Sequence, residues 1–491
     1  MPLPLILGTN AVTGGYEVAN SLKFNDGSSD HLNKTLGTAS NRKIFTVSYW
    51  IKKTTIGLHS PIVEVASSGG SIGGSENAAQ IYFNTSDQLT WYETHGGGVI
   101  NLSTNRVFRD PTAWYHIMYA IDTTQGTEAN RLKLYVNGVQ DSDFTSGSGT
   151  YPAQNLESYI NSNQDATYIG RTRYNNKYFE GYMCEVVHVD GTALANTDLG
   201  EFDSDSPNIW KPVDVSGLTF GTNGFYLDFE DGSSLGNDAA GSNNFTVNNL
   251  TAVDQVTDTC TNNSCTFNPL YRTTTEVNNG ALVYNSPASN PVFGSITTFG
   301  VNAGKWYAEV KYEAGASHYG IIGICDEVFA SLSGLGSATN TDFGKTGPAL
   351  GSDPQNCTVA YVINTGKIRN NNVNQNYGSG GGDGDIISIA LDRDNRKVYF
   401  AINGTYENSG NPGAGSNGFD LSSQITGDTY FLGVTNDTGS SETILDFNFG
   451  AGFGKTAVSS SNSDANGHGN FEYAVPSGFF AWNSKNLAEQ G

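Results

Sequence analysis

The chain has 491 residues, a net charge of −23 at neutral pH, and only 15 % charged residues. This acidity argues against nucleic-acid binding, which requires Lys and Arg to neutralise phosphates, and against unaided docking on an anionic membrane. Gly accounts for 60 residues and aromatic residues for 11 % of the chain, a composition typical of short strands joined by tight turns.

Residues 1–20 form a short N-terminal arm, and segments with alternating apolar and polar residues follow it. These segments are SLKF (21–24), IFTVSYWIKK (44–53), AAQIYF (78–83), LTWYE (89–93), WYHIMYAID (114–122), RLKLYV (131–136), ATYIGR (166–171) and MCEVVHVD (183–190). Such alternation is expected when one face of a strand is buried. We therefore predict a first β-domain over 21–200.

The regular alternation stops between 201 and 275, where Pro, Asn, Thr and Asp are frequent. The segment GFYLDF (224–229) still predicts a strand within this stretch. We expect residues 201–275 to form a partly structured connector.

A second series of alternating segments predicts a second β-domain over 276–491. It comprises GALVYN (280–285), GKWYAEVKYE (304–313), YGIIGICD (319–326), CTVAYVI (357–363), DIISIALDRD (385–394), KVYFAIN (397–403), YFLGVTND (430–437) and TILDFNF (443–449). The tail FEYAVPSGFFAWN (471–483) carries enough aromatic residues to dock on the core of this domain.

One pattern occurs in both halves of the chain. WYHIMYAID followed by RLKLYVNG (131–138) in the first half parallels IISIALD followed by RKVYFAING (396–404) in the second. Asn-Gly favours a turn with positive φ at both central residues. We therefore predict the same antiparallel hairpin in two sandwiches of related topology.

The sequence offers little sign of catalysis or metal binding. His116 has no accompanying nucleophile and acid motif, and the pairs Asp383/Asp385 and Asp392/Asp394 flank a predicted strand where turn residues are expected. Five scattered cysteines do not form a disulfide framework, although a bridge between Cys260 and Cys265 stays open. Calcium on a domain rim also stays open, and we assign no metal ligands and no cofactor.

The two domains resemble known families. The first resembles LamG domains in SLKFNDGSSDHL (21–32), FTVSYWIKK (45–53), LYVNG (134–138) and FEGYMCEVVHVD (179–190). The second resembles SPRY domains in GKWYAEVKYE, GDIISIALDRDNRKVYFAING (384–404) and LDFNFG (445–450). This resemblance implies an all-β fold of two tandem concanavalin-like antiparallel β-sandwiches, or jelly rolls, joined by the connector.

The tandem of both domains resembles virion proteins of tailed bacteriophages, especially marine ones. This resemblance implies a non-enzymatic tail fibre that binds a host-surface glycan or receptor and other virion subunits. By analogy we expect a homo-oligomer, with a trimer favoured, located in the virion, made in the host cytoplasm without a signal peptide, and without nucleic-acid binding or membrane insertion. A capsid decoration or adaptor protein, and a polysaccharide-degrading enzyme, remain alternatives.

Two loops and the arm supply candidate site residues. Tyr and Arg side chains stack on sugar faces and Asn reads hydroxyl groups, so loops 171–179 and 367–382 are candidates for ligand binding. The candidate ligand-binding residues are Arg171, Arg173, Tyr174, Tyr178, Arg369, Asn371 and Tyr377. The apolar side chains of the arm are candidates for virion anchoring, namely Leu3, Leu5, Ile6 and Leu7.

Overall fold

The structure is a computed structural model that describes residues 15–66, 78–95, 98–145, 151–163, 166–173, 176–271, 277–286, 294–314, 320–332, 357–371, 373–436 and 443–491. The chain divides into two compact units between Thr261 and Asn262, which we call the N-terminal domain and the C-terminal domain. Over the described residues, the two α-helices are six and seven residues long, and strands form nearly all other regular structure.

Antiparallel strands build the N-terminal domain. They are β1 (Ser21–Phe24), β2 (His31–Thr35), β3 (Ile44–Lys53), β4 (Ser60–Ala66), β5 (Ala78–Phe83), β6 (Gln88–His95), β7 (Gly98–Val107), β8 (Trp114–Asp122), β9 (Leu132–Val136), β10 (Val139–Asp141), β11 (Ala166–Ile169), β12 (Gly181–Asp190), β13 (Gly200–Phe202), β14 (Trp210–Pro212), β15 (Phe225–Leu227), β16 (Thr246–Asn248) and β17 (Gln255–Val256). Single 3₁₀ turns occupy Glu128–Asn130, Asn196–Asp198 and Ala252–Asp254.

Two large sheets form this domain. One has the order β10-β9-β8-β3-β12-β1-β17, with β15 also pairing with β12, and the other has the order β16-β2-β11-β4-β5-β6-β7. Their inward side chains form one apolar core, to which Phe45 and Ile117 contribute from the first sheet and Ile81 and Trp91 from the second. The N-terminal domain is therefore a two-sheet antiparallel sandwich.

Much of the predicted connector belongs to the N-terminal domain. β15, β16 and β17 pair with β12, β2 and β1 respectively. Residues of the same segment also cover the outer face of the first sheet, where Val215, Phe220 and Tyr226 pack with Met118 and Val189. The domain division after Thr261 thus differs from a connector over 201–275.

The C-terminal domain is built from β18 (Val277–Asn278), β19 (Val283–Ser286), β20 (Gly294–Ile296), β21 (Lys305–Ala314), β22 (Gly320–Asp326), α1 (Glu327–Leu332), β23 (Thr358–Val362), β24 (Lys367–Asn370), β25 (Val373–Asn376), β26 (Ile386–Asp392), β27 (Lys397–Ile402), β28 (Thr405–Tyr406), β29 (Phe419–Asp420), β30 (Tyr430–Asn436), β31 (Thr443–Asn448), β32 (Phe480–Ala481) and α2 (Ser484–Gln490). Single 3₁₀ turns occupy Ile363–Thr365 and Glu407–Ser409.

Two sheets again face each other. The larger has the order β18-β19-β31-β21-β26-β27-β28, with β29 and β32 pairing beside it, and the smaller has the order β20-β30-β22-β23-β24-β25. The C-terminal tail covers the outer face of the larger sheet, because Phe471 and Phe479 pack on Tyr307 and Tyr399. β32 pairs in parallel with β21.

The predicted hairpin occurs in both domains. Asn137-Gly138 has φ values of 48° and 75°, and Asn403-Gly404 has φ values of 47° and 78°. Each Asn side chain also bonds to the first strand of its hairpin. Asn137 Oδ1 accepts from His116 N in β8, and Asn403 Oδ1 accepts from Ile386 N in β26. The prediction of a repeated hairpin is confirmed, and the protein consists of two tandem concanavalin-like antiparallel sandwiches.

Candidate functional site

The loop after β11 folds back on itself before β12 begins. Arg171 pairs with Tyr178 as an isolated antiparallel bridge, and the N–H of Phe179 donates to the carbonyl of Gly170. This pairing brings Tyr178 next to Arg171, although six residues of loop separate them. Tyr174, also predicted as a binding residue, lies outside the described residues.

The Arg171 guanidinium lies among aromatic rings. Its central carbon is 5.6 Å from the ring centroid of Tyr168 and 5.5 Å from that of Tyr178. Its Nη1 lies 3.2 Å from His31 Nε2, and its Nη2 donates to Asn176 Oδ1 at 3.1 Å. We call Tyr168, Arg171, Asn176, Tyr178 and His31 the Arg171 cluster.

His31 acts as a neutral acceptor in this cluster. Its Nδ1 lies 2.9 Å from the Ser29 carbonyl, so Nδ1 carries the proton and Nε2 accepts from Arg171. Burial, followed by the Arg171 charge, lowers the pKa of His31 from its ordinary value. The positive charge of the cluster therefore resides on Arg171 at neutral pH.

Glu64 lies directly beside the cluster, opposite Tyr168 in the pairing of β4 with β11. Its Oε1 accepts from the backbone N–H of Arg173 at 2.7 Å, while the buried atoms Glu64 Oε2 and Arg171 Nε have no hydrogen-bond partner among the described residues. Burial raises the pKa of Glu64 to about 7, although Arg171 and Arg173 oppose this effect. Glu64 is thus a carboxyl group that changes charge near neutral pH.

A row of polar and aromatic side chains crosses the outer face of the same sheet. Strand register aligns residues from β2, β11, β4, β5, β6 and β7, and alternating neighbours such as Ile81 and Trp91 point into the core. The aligned residues are Asn33, Tyr168, Glu64, Gln80, Tyr92 and Asn101. Asn33 and Tyr168 are half-buried at the Arg171 cluster, Glu64 and Gln80 are buried, and Tyr92 and Asn101 are half-buried farther across the sheet.

Sequence reasoning found Arg171 and Tyr178 but missed His31, Glu64 and Tyr168. The last three lie on strands, and only the strand register brings them together. The available signal was a polar or aromatic residue at the outward positions of HLNKT, SPIVEVA and ATYI. A loop-based search does not examine these positions.

The second predicted loop is largely a hairpin of β24 and β25 at the edge of the smaller sheet. Arg369 is 6 % exposed, and Tyr377 is 8 % exposed. The Tyr377 ring packs edge-on against Tyr361 and Phe400. Both side chains are therefore buried, which weighs against the prediction that Arg369 and Tyr377 bind a ligand.

The remaining predicted site residues are Asn371 and the apolar residues of the arm. Asn371 lies in the turn between β24 and β25 with a φ of 47° and is half-buried, unlike the two buried residues predicted in the same loop. The proposed anchoring residues lie outside the described residues, and these are Leu3, Leu5, Ile6 and Leu7.

A buried Ser–His pair lies elsewhere in the N-terminal domain. Ser48 Oγ is 2.7 Å from His116 Nε2, and Trp210 Nε1 donates to His116 Nδ1 at 2.9 Å. Because Nδ1 accepts, the imidazole proton is on Nε2 and points at Ser48. His116 therefore lacks the free Nε2 lone pair that a general base would need to activate Ser48. Burial also lowers the pKa of His116 to about 3.

No group of three or more His, Cys, Asp or Glu side chains suitable for a metal ion occurs among the described residues. In the loop 25–30, the Asp30 carboxylate accepts from Asn25 N and Ser28 Oγ. None of the helices described here is long and apolar enough to cross a membrane.

The comparisons with known proteins agree with this fold. Residues 26–197 match the family described as the concanavalin A-like lectin/glucanases superfamily. No curated protein matches the chain. The matched residues lie within the N-terminal domain.

Several solved structures are similar to this chain, each with a low TM-score. Mouse laminin alpha1 domains LG4-5 share 10 % identity over 90 % of this chain and 92 % of that chain, with a TM-score of 0.29. The SPRY domain of human HERC1 shares 14 % identity over 34 % and 87 %, with a TM-score of 0.25. A Bacteroides ovatus protein provisionally described as carbohydrate-binding shares 19 % identity over 48 % and 60 %, with a TM-score of 0.31.

Proposed function

We propose that the protein binds a glycan through the Arg171 cluster and does not cleave it. The observation that carries this proposal is the placement of Arg171 against two half-buried tyrosine rings, with the half-buried Asn33 on the adjacent strand. Aromatic rings pack on the apolar faces of sugars, while Asn and Arg side chains bind their hydroxyl groups. The match to a superfamily named for lectins and glucanases is compatible with such a ligand.

Binding without cleavage is favoured by the chemistry of the cluster. Glycoside hydrolysis generally uses two carboxyl groups on either side of the bond that breaks. Among the described residues, the Arg171 cluster has one adjacent carboxyl group, Glu64, and its Oε1 is already bonded to Arg173 N. The orientation of the His116 proton also argues against Ser48 as a nucleophile.

We further propose that this binding serves a tail fibre in the virion of a tailed bacteriophage. The support is the resemblance of the tandem LamG-like and SPRY-like domains to phage virion proteins. The net charge of −23 would repel anionic polysaccharide at long range, so neutral sugars are the favoured ligands. Other virion subunits would hold the chain through residues 1–20.

The test of glycan binding uses the purified full chain on an array of bacterial surface polysaccharides and neutral oligosaccharides. The parent protein should bind a neutral glycan, and Arg171→Gln should weaken this binding at least tenfold. Arg131→Gln is the matched control, because Arg131 is in the same domain and bonds to the carbonyls of Gln125 and Pro152. Equal loss in both variants, or release of reducing sugar, would contradict the proposal.

The test of the virion role is separate. Antibody labelling of phage particles that carry this protein should place it on the tail. Labelling of the capsid surface instead would favour a decoration protein, and would leave the glycan-binding test unaffected.

A further inference from the structure

Two cysteines far apart in sequence meet in the N-terminal domain. The thiol of Cys184 donates to the sulfur of Cys260 at 3.6 Å, although 76 positions separate the two residues. All five cysteines are free thiols in the structure. We propose that Cys184 and Cys260 form a redox-sensitive clasp, which a low-molecular-weight disulfide such as oxidised glutathione converts to a protein disulfide.

The position of Cys184 is fixed within the first sheet. It lies in β12, directly opposite Trp50 of β3, and its side chain is fully buried. The pairing of β12 with β3 shifts register between Cys184 and Val187, and Glu185 within this bulge has a φ of 50°. A bulge redirects the side chains beside it, which accounts for a thiol that faces a separate chain segment.

The position of Cys260 is fixed by contacts on both sides of it. Two residues before it, the buried Asp258 carboxylate binds Lys52 Nζ at 2.8 Å and accepts from Trp114 Nε1 at 3.2 Å. One residue after it, Thr261 Oγ1 accepts from the N–H of Val18 at 3.1 Å. Because neighbours on both sides hold the backbone, the two sulfur atoms stay close in the folded state.

The geometry needs only a small adjustment to form a bond. A disulfide has a sulfur–sulfur length of about 2.05 Å, so the separation must shorten by about 1.5 Å. Cys184 is buried and Cys260 is half-buried, so Cys260 is the more accessible residue of the pair. Burial raises the pKa of both thiols, which makes the exchange slow at neutral pH.

The reaction proceeds by two exchanges. The Cys260 thiolate attacks one sulfur of oxidised glutathione and releases one glutathione thiolate, leaving a mixed disulfide on Cys260. The Cys184 thiolate then attacks the Cys260 sulfur and releases the second glutathione thiolate. Two protein thiols are oxidised, one glutathione disulfide is reduced to two thiols, and the two protein protons end on glutathione.

The consequence concerns the last segment of the N-terminal domain. Cys260 lies one residue before Thr261, after which the C-terminal domain begins. Without a bridge, this segment is held by the two-residue strand β17 and by the Asp258 contacts. A bridge to β12 would close a long loop and prevent the segment from separating from the domain.

The test compares the full chain before and after prolonged incubation with oxidised glutathione at about pH 8.5, where more thiolate is present. Peptide mapping without reduction should find Cys184 linked to Cys260, with the loss of two hydrogen atoms. The Tm of the N-terminal domain should rise by about 5–10 °C, because the bridge closes a long loop. Reductant should reverse both changes.

Cys265→Ser is the matched control, since Cys265 Sγ contacts the carbonyl of Thr266 instead of a second thiol. This variant should show the same bridge and the same rise in Tm as the parent. Cys184→Ser should retain a glutathione adduct on Cys260 with no rise in Tm, and Cys260→Ser should show no bridge. A bridge that forms only in denaturant, or an equal rise in Tm for Cys184→Ser, would overturn the proposal. This test does not depend on glycan binding.

Discussion

Segments 171–179 and 367–382 both combine Arg, Asn and Tyr, yet their tyrosines have different environments. Tyr178 is half-buried beside Arg171 at the outer face of a sheet, whereas Tyr377 is 8 % exposed in the core of the C-terminal domain. Composition is therefore a poor guide to whether an aromatic ring in a loop faces a ligand. The path of the backbone decides which way the ring points.

A close backbone crossing explains the burial of Tyr377. The N–H of Gly378 donates to the carbonyl of Gly366 at 2.8 Å, which draws the chain after β25 back over the sheet. Gly366 has a φ of 62°, and a Cβ there would lie 2.4 Å from Gly380 N. Only glycine allows this approach, and the approach directs Tyr377 inward. In segment 171–179, by contrast, the backbone is held by the isolated antiparallel bridge between Arg171 and Tyr178 at the surface.

The largest expected effect separates the two tyrosines by stability. Tyr377→Ala should lower the free energy of unfolding of the C-terminal domain by about 3–5 kcal/mol, because it leaves a cavity in the core. Tyr178→Ala should cost the N-terminal domain no more than about 1 kcal/mol. Denaturant unfolding followed by hydrogen exchange and mass spectrometry assigns each loss to a domain. Similar losses for both variants would show that the two rings are not differently placed.

The next largest effect on stability should come from replacing the buried glutamate that bonds to each segment. Glu407 accepts from the N–H groups of Ser379 and Gly380 at 2.6 Å and 2.8 Å and from the Tyr361 hydroxyl, so both of its oxygens are bonded. Glu64 has one oxygen bonded to Arg173 N, and its other oxygen has no partner in the part of the chain that the structure describes. The two carboxyl groups should therefore respond in opposite ways when replaced by glutamine.

Glu64→Gln should stabilise the N-terminal domain at alkaline pH. In the folded parent protein Glu64 has a pKa of about 7, above its ordinary value of 4.5. Protonated Glu64 therefore favours the folded state at acidic pH, and this stabilisation is lost as the pH rises through 7. The variant should equal the parent near pH 4 and exceed it by at most about 3 kcal/mol above pH 8. Tm measured across this pH range tests the difference between the two proteins.

Glu407→Gln should instead destabilise the C-terminal domain at neutral pH by about 2 kcal/mol, since charge-assisted hydrogen bonds to a buried carboxylate are lost. Hydrogen exchange at Ser379 and Gly380 should accelerate. If Glu64→Gln and Glu407→Gln shift stability in the same direction at pH 8, the contrast between the bonded and the half-bonded carboxylate is wrong.

The sequence was sufficient to predict the local features of the fold but not the pairing of short strands. Alternation was sufficient for the antiparallel pairs β8–β9 and β26–β27, and Asn-Gly for the turns between β9 and β10 and between β27 and β28, because both signals are local. β15 was predicted within GFYLDF, but β16 and β17 have three and two residues, too few to show a period. β16 pairs with β2 and β17 with β1, strands from the opposite end of the domain's sequence, so their pairing is a tertiary property.

The candidate site was only partly predictable for a related reason. Arg171 and Tyr178 stand out by composition, but His31, Tyr168 and Glu64 acquire their meaning from cross-strand register. Register depends on the whole sheet and cannot be read from one strand. For Tyr377 the error is the opposite. The composition of its loop suggests ligand binding, but its ring is part of the core of the C-terminal domain.

The smallest expected effect tests how Tyr178 acts in glycan binding, and it depends on the proposed function. Aromatic stacking contributes about 0.5–1.5 kcal/mol beyond buried area, so Tyr178→Leu should weaken binding by about two- to tenfold. Tyr178→Phe keeps the ring over Arg171 and should change the Kd less than twofold, and Tyr377→Phe should leave it unchanged. Calorimetric titration of the full chain with the glycan selected on the array measures all three. A loss in Tyr178→Phe as large as in Tyr178→Leu would show that the hydroxyl group, and not the ring face, makes the contact.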